Sequence, residues 1–389
     1  MIKVSNNIIN VGVDDKNIDL FEGQYKVPFG MRYNSYLILD DKTCLLDTVD
    51  SNFKDEFLSN VKSSLGDRTL DYLVIHHMEP DHSALISEIV KLYPNVTILI
   101  SVQGLAMLRN FFPEDENVAK HVKVTKEGDV LELGHHSLHF IGAPFIHWPE
   151  VMMSYEENEK ILFSADAFGR FGTYDSVENF HDESRRYYIG IVGKFGLQVK
   201  NLLNKALKLD IKKICSLHGN LLEGDLTPYI KDYITYANYD SEDNDVTIAY
   251  GSVYGHTKEA ALLLKDELEH LGKKVYLFDL ARDDIHEVIS HAFAHKNLII
   301  ASVTYNNGLF PCVRNFIENL TERNFQKKNV SFIENGSWGP MANKVMKDLL
   351  ANSKEINYIG EGVTVRSAIN PIVRGNIKAL AEAIANSDN

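Results

Sequence analysis

Six residues, His77, Met78, Glu79, Pro80, Asp81 and His82, follow directly on the apolar run from Asp71 to Ile75, and that junction constrains the fold more than any other segment. A buried strand must run straight into a loop that carries four metal-capable side chains. His77, Glu79 and Asp81 alternate as on an extended strand end and are expected to converge on one side, with His82 turning back as a helix begins at Ser83. Two adjacent ions can share such a set. Imidazoles alone would suit zinc, whereas the carboxylate at Glu79 makes a mixed set that suits redox iron. The loop therefore favours electron chemistry over hydrolysis.

At 389 residues the chain is long enough for two domains. No apolar run approaches the roughly 18 residues of a membrane span, and the stretch from Met1 to Asn7 lacks the pattern of a signal peptide, so a cytoplasmic protein without membrane contact is expected. Cys44, Cys215 and Cys312 are scattered, with no Cys-x-x-Cys pair to hold an iron–thiolate site. Any carrier of that kind must be another protein. The net charge of −14 argues against a nucleic-acid partner, which needs clustered Lys and Arg.

Between Asn7 and Leu222, short apolar runs at 36–39, 43–46, 73–75, 96–100, 138–141, 160–163 and 213–215 read as strands. Helical patterns lie at 84–92, 104–112 and 191–207, which predicts an α/β sandwich with outer helices. The acidic stretch from Asp240 to Asp245 reads as a solvated connector and sets a boundary near residue 243, giving domains of 1–243 and 244–389. Beyond it, strands are predicted at 246–250, 274–278, 297–302, 330–334 and about 355–359, with helices between them and Pro371 opening the last helix. Five strands and five helices in alternation make a doubly wound parallel sheet.

Three further metal-capable residues each stand just past a predicted strand: His147, Asp166 and His218. A lone strand-end histidine is usually structural, and a lone aspartate is often a helix cap. Together with the loop they make seven ligands, enough for two ions with an open position on each, and a carboxylate flanked by small residues, as Asp166 is, can bridge two cations. His76, His135, His136 and His181 lack such a context and are expected at the surface or outside the ligand set. In the second domain, the segment from Gly251 to Thr257 joins the first strand to the first helix and offers an anion cradle without the lysine of a nucleoside-triphosphate loop. A mononucleotide phosphate fits it. The loops at 302–308 and 334–339 follow the third and fourth strands, so Tyr305 and Trp338 can flank a planar ring at the switch point of the sheet.

With these motifs the chain resembles the flavodiiron proteins over essentially its whole length. Their pattern His-x-Glu-x-Asp-His, followed by separated His, Asp and His, matches without a gap. The resemblance implies an αββα metallo-β-lactamase-like sandwich followed by a flavodoxin-like doubly wound five-stranded parallel sheet. It implies two non-heme iron ions, one held by His77, Glu79 and His147, the other by Asp81, His82 and His218, with Asp166 bridging. It also implies FMN, with Ser252, Val253, Tyr254, Gly255, His256 and Thr257 at the phosphate. Thr304, Tyr305, Asn306, Asn307 and Gly308, with Ser337, Trp338 and Gly339, would then lie at the isoalloxazine.

Such a protein reduces oxygen to water, because two ferrous ions and a two-electron flavin together hold the four electrons required; nitric oxide reduction to nitrous oxide is the alternative. The minimal class is expected, with electrons from rubredoxin or a similar donor, or from a reduced deazaflavin coenzyme. A head-to-tail homodimer or a dimer of dimers is implied. Where many members carry His in a Phe-His-Gly sequence, this chain has Phe21, Glu22 and Gly23, which bears on proton supply. Trp148, Glu22, Tyr187 and Tyr188 are the candidates for lining the gas pocket. A zinc hydrolase of the same fold and a pure electron carrier are the rival readings.

Overall fold

The computed structural model describes residues 1–176 and 179–387 and divides into two compact units, Met1–Ile234 and Thr235–Asn389. In the first unit, period-two alternation decides which side chains meet. Tyr36, Ile38, Cys44 and Leu46 share one face of a sheet, and across from them lie Leu138, Phe140, Ile161 and Phe163 of a second sheet. Both sets are buried in a single apolar layer. Leu37, Leu45 and Leu73 point the other way and are equally buried, as a sheet covered on both faces requires.

The first sheet has seven strands in chain order, antiparallel from Ile2–Lys3 to Thr43–Leu46 and parallel through Tyr72–Val74, Thr97–Ile100 and Val122–Val124. The second has six strands from Val130–Glu132 to Leu222–Glu223, with one parallel pair, Ile161–Phe163 beside Lys213–Cys215. Helices include Lys54–Leu65, Val102–Phe111 and Gly196–Ala206.

Two helix starts differ from expectation by three residues or more. The helix after the metal-capable loop begins at Pro80, not Ser83, because proline presets the first helical φ; it stops at Ser83 and resumes as Ile86–Leu92. Asp81 therefore sits on a helical turn and not on an extended strand end. The helix predicted over 191–207 is regular only from Gly196, after a π turn at Tyr188–Val192 and a 3₁₀ turn at Gly193–Phe195. Gly190 lies in that distorted stretch, where the Tyr25 hydroxyl donates to its carbonyl at 2.9 Å and a Cβ would meet the Tyr25 ring at 2.7 Å.

In the second unit the strand order is Val275–Asp279, Asp243–Gly251, His295–Tyr305 and Asn329–Asn335, then a fifth position, all parallel. Counted along the chain this is the doubly wound order 2-1-3-4-5. The fifth strand, expected as one run near 355–359, is split into Asn357–Tyr358 and Val363–Val365, because Gly360 and Gly362 take left-handed φ values between them. Helices His256–His270 and Pro371–Asn386 pack on one face through Ala260, Leu264, Leu268, Ile377 and Ile384.

The acidic stretch from Asp240 to Asp245 is fastened to this unit and not simply solvated. Lys327 pairs with Asp240 at 3.1 Å, the buried Lys328 donates to Ser241 at 2.7 Å, and His295 meets Asp243 at 2.7 Å. Among the described residues no helix is long and apolar enough to cross a membrane. Ile333 is fully buried in the core of the second unit, so Ile333→Ala should lower that unit's stability by about 2–5 kcal/mol, read as an earlier urea unfolding transition.

Candidate active site

Strand ends carry most of the polar side chains that converge in the first unit. His77 lies just beyond Tyr72–Val74, Asp166 beyond Ile161–Phe163 and His218 beyond Lys213–Cys215, while His147 comes from the loop leading into Met152–Glu156. Two groups result. His77, Glu79, His147 and Asp166 form one, and Asp81, His82 and His218 the other, each with ligand atoms within 4.8 Å of one another. Asp166 faces both. Its Oδ2 lies 3.4 Å from His77 Nε2 and 3.1 Å from His147 Nε2, whereas its Oδ1 lies 3.3 Å from His82 Nε2 and 3.8 Å from His218 Nε2.

Those spacings suit cations. Ligand atoms bonded at about 2.0–2.1 Å to one ion stand roughly 3.0–3.5 Å apart. In the first group Glu79 Oε2 is 3.1 Å from His77 Nε2 and 3.0 Å from His147 Nε2, and the two imidazole nitrogens are 3.3 Å apart. In the second, Asp81 Oδ2 is 3.4 Å from both His82 Nε2 and His218 Nε2, which are 3.0 Å from each other. His218 Nδ1 donates to the Arg32 carbonyl at 2.7 Å, and His77 Nδ1 reaches Glu150 at 2.7 Å. A carbonyl only accepts, so His218 Nδ1 carries the hydrogen, and its Nε2 is the nitrogen turned inward, at another imidazole nitrogen. The oxygens of Asp81 and Asp166 are buried with no hydrogen-bond partner among the described residues. Lone pairs and unpartnered carboxylates facing one another at these distances need positive charge between them, and the residues fit metal ions.

The protein's own titration expresses the same demand. Burial opposes the imidazolium form, yet the neighbouring Asp166 and Glu79 carboxylates outweigh it and lift His147 to about 9. His77 rises as well, against its burial, through Asp166, Glu150 and Glu79. Burial works against ionised Asp166 and Glu79 too, but the histidines hold both carboxyls well below the usual range.

In the second unit a cleft of about 550 Å³ opens at the carboxyl ends of the strands. Ser252, Val253, Tyr254, His256 and Thr257 line one side, and Thr304, Tyr305, Asn306 and Asn307 another, with Ser337 and Trp338 on the third loop. Gly255 takes a left-handed φ of +97° immediately before the helix, and its N–H donates to Ser252 Oγ at 3.1 Å. Asn306 and Asn307 are both left-handed and form the tight turn into Gly308–Leu309. Tyr254 is 92% exposed and Trp338 81%, unusual for rings unless a ligand or partner covers them. Gly255, Gly308 and Gly339 do not line the cleft, and the Thr304 hydroxyl oxygen accepts the N–H groups of Met341 and Ala342.

Known proteins share both halves. The family model described as ODP family beta lactamase matches residues 31–219, and the flavodoxin model matches 248–348. An anaerobic nitric oxide reductase flavorubredoxin of Vibrio vulnificus is 31% identical over 352 residues, 87% of this chain and 70% of its own length. The chain belongs to the flavodiiron protein family. The fold of this flavodiiron chain matches rubredoxin oxygen:oxidoreductase from Desulfovibrio gigas with a TM-score of 0.93, at 26% identity over 99% of this chain and 98% of that one. The flavodiiron protein of Giardia intestinalis gives 0.90, at 25% identity over 98% and 96%.

Around the paired groups of this flavodiiron chain, Trp148 stands edge-on to His77, with ring centroids 5.2 Å apart. Tyr187 is fully buried 5.5 Å from the His218 ring, its hydroxyl without a hydrogen-bond partner among the described residues. Tyr188 packs edge-on against Tyr233. Glu22 lines a cleft of about 480 Å³ with Tyr33, Asp50, Glu79 and Asp81. Although Glu22 stays exposed at its rim, desolvation and the Glu79 carboxylate push its pKa up to about 7.

Sequence reasoning missed several residues. Glu150, which orients His77, was detectable only as a lone acid in the apolar run before Met152. Ser367, from beyond the split fifth strand, also lines the second cleft, alongside Val303, Asn335 and Gly336 of the two predicted loops. His135 and His181 are exposed, but His76 and His136 are buried, bonded to Asp47 and Glu156. Since metal-free His147 titrates near 9, a divalent ion must displace its proton at pH 7. Binding of Fe²⁺ or Zn²⁺ should therefore release protons at pH 7 and tighten as pH rises toward about 9; calorimetry in buffers of different ionisation heat counts them, and zero release would contradict this charge balance.

Proposed function

We propose that the chain is a flavodiiron oxidoreductase that reduces oxygen to water, drawing electrons from rubredoxin or a similar donor. The observation that carries this reading is the division of Asp166, one oxygen toward each group of histidines and carboxylates. His77, Glu79 and His147 are the proposed ligands of one iron, Asp81, His82 and His218 of the other, with Asp166 between them. FMN is assigned to the cleft of the second unit, in the domain read from the sequence as 244–389, and the iron pair to the domain read as 1–243; the compact units themselves divide earlier, between Ile234 and Thr235. Bound there, the flavin and the iron pair supply stored electrons and open coordination positions for a small gas.

The chain's own residues supply the setting. Glu150 and the Arg32 carbonyl hold His77 and His218 in the tautomer that points Nε2 inward. Trp148, 5.2 Å from His77, and the Tyr33 ring, 5.8 Å from His218, place aromatic surface beside the two ligand groups. Tyr187 keeps its proton, because burial and the charges of Asp166, Glu79 and Asp81 oppose ionisation. Tyr305 and Trp338 are the proposed walls for the isoalloxazine, and the N–H groups near Gly255 the proposed cradle for its phosphate.

The oxygen reading is supported by the structure that aligns over 99% of this chain, which is named for oxygen. Nitric oxide reduction to nitrous oxide is the second reading, because the curated relatives carry that name. A head-to-tail homodimer in the cytoplasm is part of the same proposal. With iron-replete protein and reduced rubredoxin in an electrode chamber, oxygen should disappear faster than nitric oxide and without peroxide; the opposite order would select the second reading. Asp166→Ala should abolish the paired-iron spectrum and gas consumption while leaving flavin content unchanged, and an intact diiron signal in that variant would sink the ligand assignment.

A further inference from the structure

Behind the first ligand group lies a hydrogen-bonded chain, Asp47–His76–Ser154, that the reaction does not use. All three residues are buried. His76 Nδ1 meets Asp47 Oδ2 at 2.6 Å, and its Nε2 meets the Ser154 hydroxyl at 2.9 Å. Asp47 directly follows the strand Thr43–Leu46 of the first sheet, whereas Ser154 lies within Met152–Glu156 of the second, so one imidazole ties the two sheets together. The His76 carbonyl adds a second tie, accepting the Met152 N–H at 3.0 Å.

The same carboxylate reaches the metal-capable loop. Asp47 Oδ1 accepts the backbone N–H of His76 at 2.7 Å and of His77 at 3.3 Å. To do so Asp47 holds a φ of +58°, a left-handed conformation that residues other than glycine seldom adopt. The next residue takes the other end of the loop. Thr48 donates to the His82 carbonyl twice, from its N–H at 2.7 Å and from its hydroxyl at 3.0 Å. Residues 47 and 48 thus grip the loop at both ends, one in each ligand group, and His76 locks that grip to the sheet that also follows His147 and Glu150.

We propose that the Asp47–His76–Ser154 chain is a positioning device that sets the separation of the two ligand groups, and hence whether Asp166 can serve both ions at once. The inference rests on the diiron reading above. Metal–ligand bonds tolerate displacements of only about 0.2 Å, so a small slip of the His77 backbone detaches one group from the shared carboxylate. The device acts through the backbone of His77, not on the reacting atoms.

The test is anaerobic reconstitution of the full chain with ⁵⁷Fe²⁺, read by Mössbauer and mixed-valence EPR spectra and by iron affinity. The wild-type spectrum tests the diiron reading by itself; comparison of variants with it tests the positioning role. His76→Leu should weaken iron binding about 10- to 100-fold and replace the coupled signal with that of isolated ions. His76→Gln should restore the coupling, because its amide can donate to Asp47 and accept from Ser154. Ser154→Ala, which removes one hydroxyl, decides the matter if His76→Leu fails to fold: a weakened coupling supports the device. Wild-type coupling and affinity in Ser154→Ala, or in a folded His76→Leu, overturn it.

Discussion

Burying the Asp166 carboxylate costs several kcal/mol unless opposite charge or hydrogen-bond donors meet it, and among the described residues neither oxygen has a hydrogen-bond partner. Glu79 and Asp81 stand alongside and add to the negative charge. The arrangement is tenable only if positive charge reaches both oxygens, and the imidazoles of His77, His147, His82 and His218 are placed where protons or cations can supply it. Much of the first unit serves that placement. The two sheets bring their strand ends to one edge, and Glu150 and the Arg32 carbonyl turn the His77 and His218 rings inward.

A different balance governs the cleft of the second unit. Its walls are turns at the carboxyl ends of parallel strands, so backbone groups not used by the sheet face the opening. The turns are held from below. Glu334 accepts the Asn343 N–H at 3.0 Å and the Thr364 hydroxyl at 2.8 Å, and the Asn335 amide exchanges two hydrogen bonds with the Ser367 backbone at 3.0 and 3.1 Å. The rings of Tyr254 and Trp338 remain the exposed apolar surface above this polar support. A planar, anionic ligand suits such a site, since the rings offer stacking area and the loop before the helix at His256 offers N–H groups.

Legibility of the fold followed the strength of local pattern. Strands 36–39, 43–46 and 213–215 lie where the apolar runs predicted them, because each is short, buried and bounded by turns. Met152–Glu156 escaped prediction, since Ser154 and Glu156 interrupt its apolar run and are buried only because other groups bond them. The helix start at Pro80 was misjudged by three residues, and the distorted turns near Gly190 depend on Tyr25, which is 165 positions away in the chain. Distant contacts of that kind leave no periodic trace.

The sequence by itself determined the chemistry on offer: seven metal-capable residues in a spaced order, a phosphate-type loop, and enough chain for two domains. Side-chain type and local period carry that information, because they act within a few residues. Tertiary structure alone decided how the seven divide. Asp81 leaves the extended pattern of His77 and Glu79 because Pro80 starts a helix, and that turn sends it to the group of His82 and His218. It also decided that His76, adjacent to His77 in the chain, points into the sandwich toward Asp47 and Ser154. Such outcomes depend on which strand ends meet in space, and that is set by the packing of two whole sheets, not by any segment of the chain.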